Sequence, residues 1–124
     1  MPSLATSAEG MAVQQKFLEI ISANIANAQT TRTTEGGAYR RQIAVVEGGT
    51  RAGDMETRVV SDPNSGRLVY DPGHPDANAE GFVEYPNVDT NTEIVDLMIA
   101  RRIHEANATV FQAAKSMLRR ALEI

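Results

Sequence analysis

Neither cysteine nor tryptophan occurs in this chain. Without cysteine there is no disulfide framework and no thiolate metal site. Such a chain tolerates an oxidising compartment without requiring one. Aromatic residues amount to only 5%, too few to line a stacking platform for bases or sugars. No window approaches the roughly 18–20 apolar residues of a helical membrane span. The N-terminus has no basic stretch leading into an apolar one, so a cleaved secretory signal is not expected, and any export is expected to proceed uncleaved. Positive charge is also short: 12 Lys and Arg stand against 16 Asp and Glu, a net charge of −4. Nucleic acid rewards a dense basic face, whereas Arg40–Arg41, Arg101–Arg102 and Arg119–Arg120 are isolated pairs. Nucleic acid is therefore not an expected partner.

Apart from Pro2 and Gly10, helix breakers are absent from both ends. Between Met11 and Glu35 there is no Gly or Pro, and none from Asn87 onward; Gly36, Gly37, Pro63, Gly66, Pro72, Gly73, Pro75, Gly81 and Pro86 all fall between. The chain of 124 residues, 42% hydrophobic and 23% charged, has the length and composition of one soluble domain. The layout predicts an α+β fold. Two long terminal helices pack as a coiled-coil-like pair around a small β-rich middle.

The divisions expected are residues 1–35 for the first helix and its linker, 36–89 for the β-rich region and 90–124 for the second helix. In the first, Leu4, Ala8, Met11, Leu18, Ile21, Ile25 and Ala28 recur at helical spacing, and Phe17 and Ile20 widen the stripe. Gly10 costs about 1 kcal/mol against Ala inside a helix, which marks a kink or a close approach by a neighbouring backbone. The helix is expected to end near Ala28. In the middle, strands are expected over 39–47, 55–60, 67–70 and 81–85, separated by the turns Asp62-Pro-Asn-Ser-Gly66 and Asp71-Pro-Gly-His-Pro75. In the third division, Thr90 and Glu93 have capping-box spacing. Beyond them Val95, Ile99, Ile103, Ala106, Val110, Ala113, Met117, Ala121 and Ile124 form one stripe, and Leu97, Phe111, Ala114, Leu118 and Leu122 a second. Such a helix spans about 50 Å, more than a globule of this length needs.

Surplus apolar surface is the physical argument for assembly. If the two helices pair, the wide face of the second stays open. At about 25 cal/mol per Å² of buried apolar area, that face drives association with copies or relatives. The residues expected to carry the contacts are Leu4, Met11, Leu18, Ile21, Asn24, Ile25 and Asn27 on the first helix. On the second they are Val95, Ile99, Ile103, Asn107, Val110, Phe111, Met117, Leu118 and Ala121. Asn24 and Asn27 share a face at i, i+3; they read either as ordinary surface or as amides that bond to a neighbouring helix and fix register.

Reactive chemistry is sparse. Asp71, His74, Asp76, Asn78 and Glu80 crowd one loop, and Asp76-x-Asn78-x-Glu80-Gly81 echoes the start of a calcium loop. The twelfth position, where a bidentate Glu belongs, is Asn87. A surface turn whose side chains cap its own backbone accounts for the same residues. His104-Glu105 is not a zinc-protease motif, because the residue four after His104 is Ala108. There is no G-x-S-x-G and no phosphate-binding Gly loop. Two classes remain: an assembling structural protein, and a small helical-hairpin adaptor gripping a ligand or metal between Asp71 and Glu80. Neither a catalytic residue nor a cofactor is expected.

Segments at both ends and in the later middle resemble a known family. Ser22-Ala-Asn24-Ile-Ala-Asn27-Ala-Gln-Thr30-Thr31 resembles the N-terminal signature shared by the bacterial flagellar rod and hook proteins. Leu68-Val-Tyr70-Asp-Pro-Gly-His74-Pro-Asp-Ala-Asn-Ala-Glu-Gly81-Phe-Val is more specific. With Pro86-Asn87-Val88, Glu93-Ile-Val-Asp96-Leu-Met, Glu105-Ala-Asn107 and Ala113-Ala-Lys115-Ser-Met117, it is similar to the proximal rod members of that family. Residues 42–62 are generic.

The resemblance implies a non-enzymatic subunit of the rod, the driveshaft between the membrane-embedded rotor and the hook. Terminal helices would pack in a tubular inner layer around the export channel, with the middle facing outward. Implied partners are copies of itself, other rod proteins, the rotor-ring adaptor and the flagellar type III export apparatus. The implied location is the basal body where the rod crosses the periplasm, reached uncleaved. Glu9 and His104 depart from the family pattern, where a small Ser and a Tyr are usual. Arg101 and Ile103 replace smaller residues, and the middle is short.

Overall fold

The computed structural model describes residues 2–48 and 55–123. Helix α1 (Pro2–Ala26) is followed by strands β1 (Gln42–Glu47), β2 (Glu56–Ser61), β3 (Leu68–Tyr70) and β4 (Phe82–Glu84), then by helix α2 (Thr90–Glu123). The fold is α+β, with the two helices packed together and the strands between them in sequence. Ile124, the last member of the expected second-helix stripe, lies outside the described residues.

The helices run antiparallel. Asn24, near the end of α1, lines the same groove as Glu93 at the start of α2, while Gly10 faces Asn107 further along. At Gly10 the close neighbour is a side chain and not the backbone that its spacing allowed: a Cβ there would lie 2.9 Å from Asn107 Nδ2. On α2 the face towards α1 comprises Glu93, Ala100 and Ala114, all buried, with half-buried Leu97, His104, Asn107, Phe111 and Leu118. Their steps of three and four keep them on one side of the helix.

Helix α1 differs from expectation in which line lies deepest. Val13, Ile20 and Asn24 are buried, whereas the expected Leu4, Met11, Leu18, Ile21 and Ile25 are half-buried and Ala8 is exposed; of the expected stripe only Ala28, just past the helix, is buried. The two lines are roughly a third of a turn apart. The cause is that α1 is sandwiched, touching α2 on one flank and β1 and β2 on another. Its burial is therefore spread round the helix, and spacing alone favours neither flank.

Helix boundaries follow local hydrogen bonding. The cap of α2 is Asp89, not Thr90: Asp89 Oδ1 accepts the amides of Asn91 and Thr92 at 3.1 and 3.4 Å. Its carbonyl takes Glu93 N–H at 2.9 Å. The expected Thr90–Glu93 capping box does not form, because Glu93 is engaged elsewhere. At the end of α1, Asn27 donates from Nδ2 to Ala23 O at 2.8 Å and accepts Thr30 Oγ1 at 3.1 Å. The chain then reverses through Gly36 and Gly37, whose φ values of 85° and 73° suit glycine. Tyr39 N–H bonds back to Thr30 O at 3.0 Å.

The middle forms two separate antiparallel pairs. Strands β1 and β2 align with Ile43 opposite Val60 and Val45 opposite Arg58. Strands β3 and β4 centre on Val69 opposite Val83, and Val83 is fully buried. Beside them Tyr70 and Phe82 meet edge to face at 5.3 Å. Two-stranded pairs are marginal alone, and these depend on the helices and loops around them.

Gly10 is a direct probe of the helix crossing. Gly10→Ala gains about 1 kcal/mol of helix propensity and displaces only the movable end of Asn107. Its midpoint in urea is expected near that of the parent. Gly10→Leu, which cannot fit without parting the helices, is expected to lower stability by about 1–3 kcal/mol.

Candidate functional site

Four distant stretches of chain converge where α1 ends, β1 starts, β2 ends and α2 begins. Asn24, only 1% exposed, donates from Nδ2 to Gln42 O at 2.9 Å and accepts Gln42 N–H at 2.9 Å. Its oxygen also accepts Tyr39 Oη–H at 2.8 Å. The amide thus acts as a strand partner for the first residue of β1. Asn24 is therefore not ordinary surface: within the chain its amide bonds to the start of β1, and that of Asn27 bonds to its own helix.

Arg41 ties the remaining pieces together. Its Nε donates to Glu93 Oε1, and its Nη1 lies 3.4 Å from Asp62 Oδ2. Its backbone N–H donates to Asn87 Oδ1 at 2.9 Å, while its carbonyl takes Asp62 N–H at 2.8 Å. Asn87 in turn donates to Asn64 O at 2.9 Å. The hydrogen bond to Glu93 pushes the Arg41 guanidinium above its usual range, against the opposing pull of burial; the Glu93 charge and Asp62 add to the rise. Arg41 is charged at any working pH. Burial, and next to it the Glu93 charge, pushes the Tyr39 phenol above 10.0.

The acidic loop is anchored internally. Asp76, on which a ligand-gripping adaptor depends, has its carboxylate bonded to Thr31 Oγ1, with Arg32 Nε at 3.4 Å. His74 Nδ1 accepts Asp76 N–H at 2.9 Å, and Asn78 Oδ1 accepts the amides of Glu80 and Phe82 at 2.9 and 3.0 Å. These side chains cap the loop and fasten it to the stretch after α1. Among the described residues no group of three His, Asp or Glu is placed to hold a metal.

Most of the large apolar side chains left exposed among the described residues lie on α2, with Met55, Val59, Leu68 and Tyr70 exposed in the middle. Val95, Ile99, Ile103, Val110 and Met117 are 43–65% exposed, and Ala121 is exposed. They run along a line roughly a third of a turn from the face against α1. Met98 is exposed to one side of this line, and Leu122, 79% exposed, continues the Leu118 side of the helix. Of the other expected contact residues, Leu4, Met11, Leu18, Ile21, Ile25, Asn27, Asn107, Phe111 and Leu118 are half-buried at or beside the helix seam, and Asn24 is inside the hub. A contiguous apolar strip of this length is the mark of an interaction surface.

The residues that sequence reasoning missed are Tyr39, Arg41, Asp62 and Glu93. Glu93 is polar, only 1% exposed, and sat at a spacing that capping explained equally well. Arg41 was one of an unremarkable Arg pair. No periodicity links 41 to 93; only the fold does.

Arg41→Ala leaves Glu93 charged, buried and unpaired, and is expected to cost about 3–5 kcal/mol. Arg41→Ala with Glu93→Gln should recover part of that loss in urea unfolding. Tyr39, protonated more tightly when folded, contributes stability fully present below pH 10.0 and lost as pH rises towards its raised value. Tyr39→Phe should flatten that alkaline limb of the stability curve.

Comparison with known proteins agrees with both ends of this architecture. Residues 4–34 match the family described as flagella basal body rod protein, and residues 79–124 match the C-terminal region of flagellar basal body rod FlgEFG proteins. The chain is 36% identical to the flagellar basal-body rod protein FlgC of Bacillus subtilis, with 98% of this chain and 95% of that protein covered. Against its counterpart in Borreliella burgdorferi the identity is 35%, with the same coverage. Against that of Salmonella typhimurium it is 34%, covering 92% of this chain and 89% of the relative. An alignment of 143 positions with the Bacillus protein over a 124-residue chain requires gaps, so the relative carries residues this chain lacks. Near-complete coverage at these identities shows that the chain belongs to the FlgC family of flagellar basal-body rod proteins.

Proposed function

We propose that this chain is a structural, non-enzymatic subunit of the proximal rod, assembling helically through α1 and α2 into a tube around the export channel and transmitting torque along it. The observation that carries this reading is the exposed strip of α2 from Val95 to Ala121. An isolated chain has no use for it, and a packed array buries it. Residues 1–35 and 90–124 form the inner helical layer in this proposal, and residues 36–89 the outward region. The hub around Arg41 and Glu93 holds the two parts in a fixed relation, which a torque-bearing part requires.

The partners follow from the family: copies of the chain, other rod proteins and, at the rotor end, the ring adaptor. Delivery by the type III export apparatus without cleavage, to the rod where it crosses the periplasm, completes the reading. No helix among the described residues is long and apolar enough to cross a membrane.

Val110→Asp and Ile103→Asp test this reading. Both positions are open in the folded chain, 52% and 43% exposed, so the variants should fold with unchanged urea midpoints. They should nevertheless fail to enter basal bodies, and the cells should not swim. Ile25 and Leu118 are half-buried, and charge there confounds folding with assembly. Normal swimming by the Val110 and Ile103 variants contradicts the proposal.

A further inference from the structure

Two features that draw on the hub and the strip fit each other. The first is a groove of about 310 Å³ between α1, β1 and α2, with Phe17, Ile21, Ile99 and Ile103 on its walls and Glu93 and Asp96 among its lining. Glu93 is 1% exposed, and its Oε2 is buried without a hydrogen-bond partner. One guanidinium, Arg41, serves both Asp62 and Glu93, and Asp96 has no ion pair among the described residues. The groove is apolar in shape and short of positive charge.

The second feature is the free end of α2. Counting back from Gly10 to Pro2, and forward by the same number from Asn107, sets the start of α1 level with Lys115. The rest of α2 lies beyond the level of the described residues of α1. There Met117 is 65% and Leu122 79% exposed, and with Leu118 and Ala121 they form one strip. At 100° per residue, Arg120 flanks that strip on one side and Lys115 and Arg119 on the other. The end is apolar with basic edges, which complements the groove.

Taking the rod-subunit reading as given, we propose that the C-terminal turns of α2 from a second copy of this chain dock over the groove. Their apolar strip rests on Ile99 and Ile103, and Arg120 comes to Asp96 at the mouth beside the doubly acidic hub. The contact joins the end of one molecule to the opposite end of another. It is heterologous and does not close on itself in pairs, so it propagates.

The absence of cysteine permits a direct test. Positions 99 and 122 are about 35 Å apart along one helix, while a disulfide needs Cα atoms within about 7 Å. A chain carrying Ile99→Cys and Leu122→Cys can therefore form that bond only between molecules. Basal bodies isolated from cells making this chain, oxidised and run without reductant, should give a ladder of two, three and more chains, whereas each single variant gives no ladder. Adding Asp96→Arg should weaken the ladder several-fold, and adding Arg120→Asp as well should restore it. Basal bodies that contain the chain but give no ladder overturn the docking proposal and leave the rod reading standing. Basal bodies without the unsubstituted chain overturn the rod reading itself. A Leu122→Cys variant that dimerises alone as efficiently as the pair cross-links shows a symmetric contact, and also overturns the docking.

Discussion

Glu93 is a carboxylate with almost no access to water, and such a charge survives only with a partner. That requirement fixes Arg41, and Arg41 fixes the chain. Through its side chain it holds α2 and the end of β2; through its backbone it holds Asn87 and Asp62. Asn24 adds the end of α1 by pairing with Gln42, the next residue. The start of each long helix's neighbouring segment is thereby set by one polar cluster. Buried ion pairs add little net stability but penalise alternatives strongly. Such a cluster specifies an angle between parts more than it strengthens them.

The apolar contribution is modest by comparison. Among the described residues the buried apolar ones are Val13, Ile20, Ala28, Val83, Ala100 and Ala114, three of them alanines. Small side chains let the helices approach closely, as the Gly10–Asn107 contact shows, but they bury little area each. The large apolar residues of α2 are mostly outside. Much of the apolar surface of α2 is thus left outside the chain's own core. On the proposed reading assembly covers it, at about 25 cal/mol per Å² of apolar area buried.

Much of this was legible in the sequence, for a physical reason. Helices without Gly or Pro and with apolar steps of three and four announce themselves, as do turns such as Asp71-Pro-Gly. The second-helix stripe from Val95 to Met117 was readable because exposure does not alter spacing. Choosing the deepest line of α1 was not possible from spacing, since that helix is covered from two sides. The roles of Asn24 and Glu93 were hidden more deeply: each depends on a partner 18 or 52 residues away, and local chemistry offered each a simpler explanation. Family resemblance at both ends and in the later middle, residues 68–83 above all, pointed to the assembly, while the hub had to be seen in the fold.

The central claim is that α2 has two faces with different duties, one closed within the molecule and one closed only by neighbours. Thiol labelling of a Val110→Cys chain measures this directly, since no other cysteine is present. The free chain should react with maleimide at the rate of an unhindered thiol, and intact basal bodies should be protected at least tenfold. Equal rates in the two states would contradict the account.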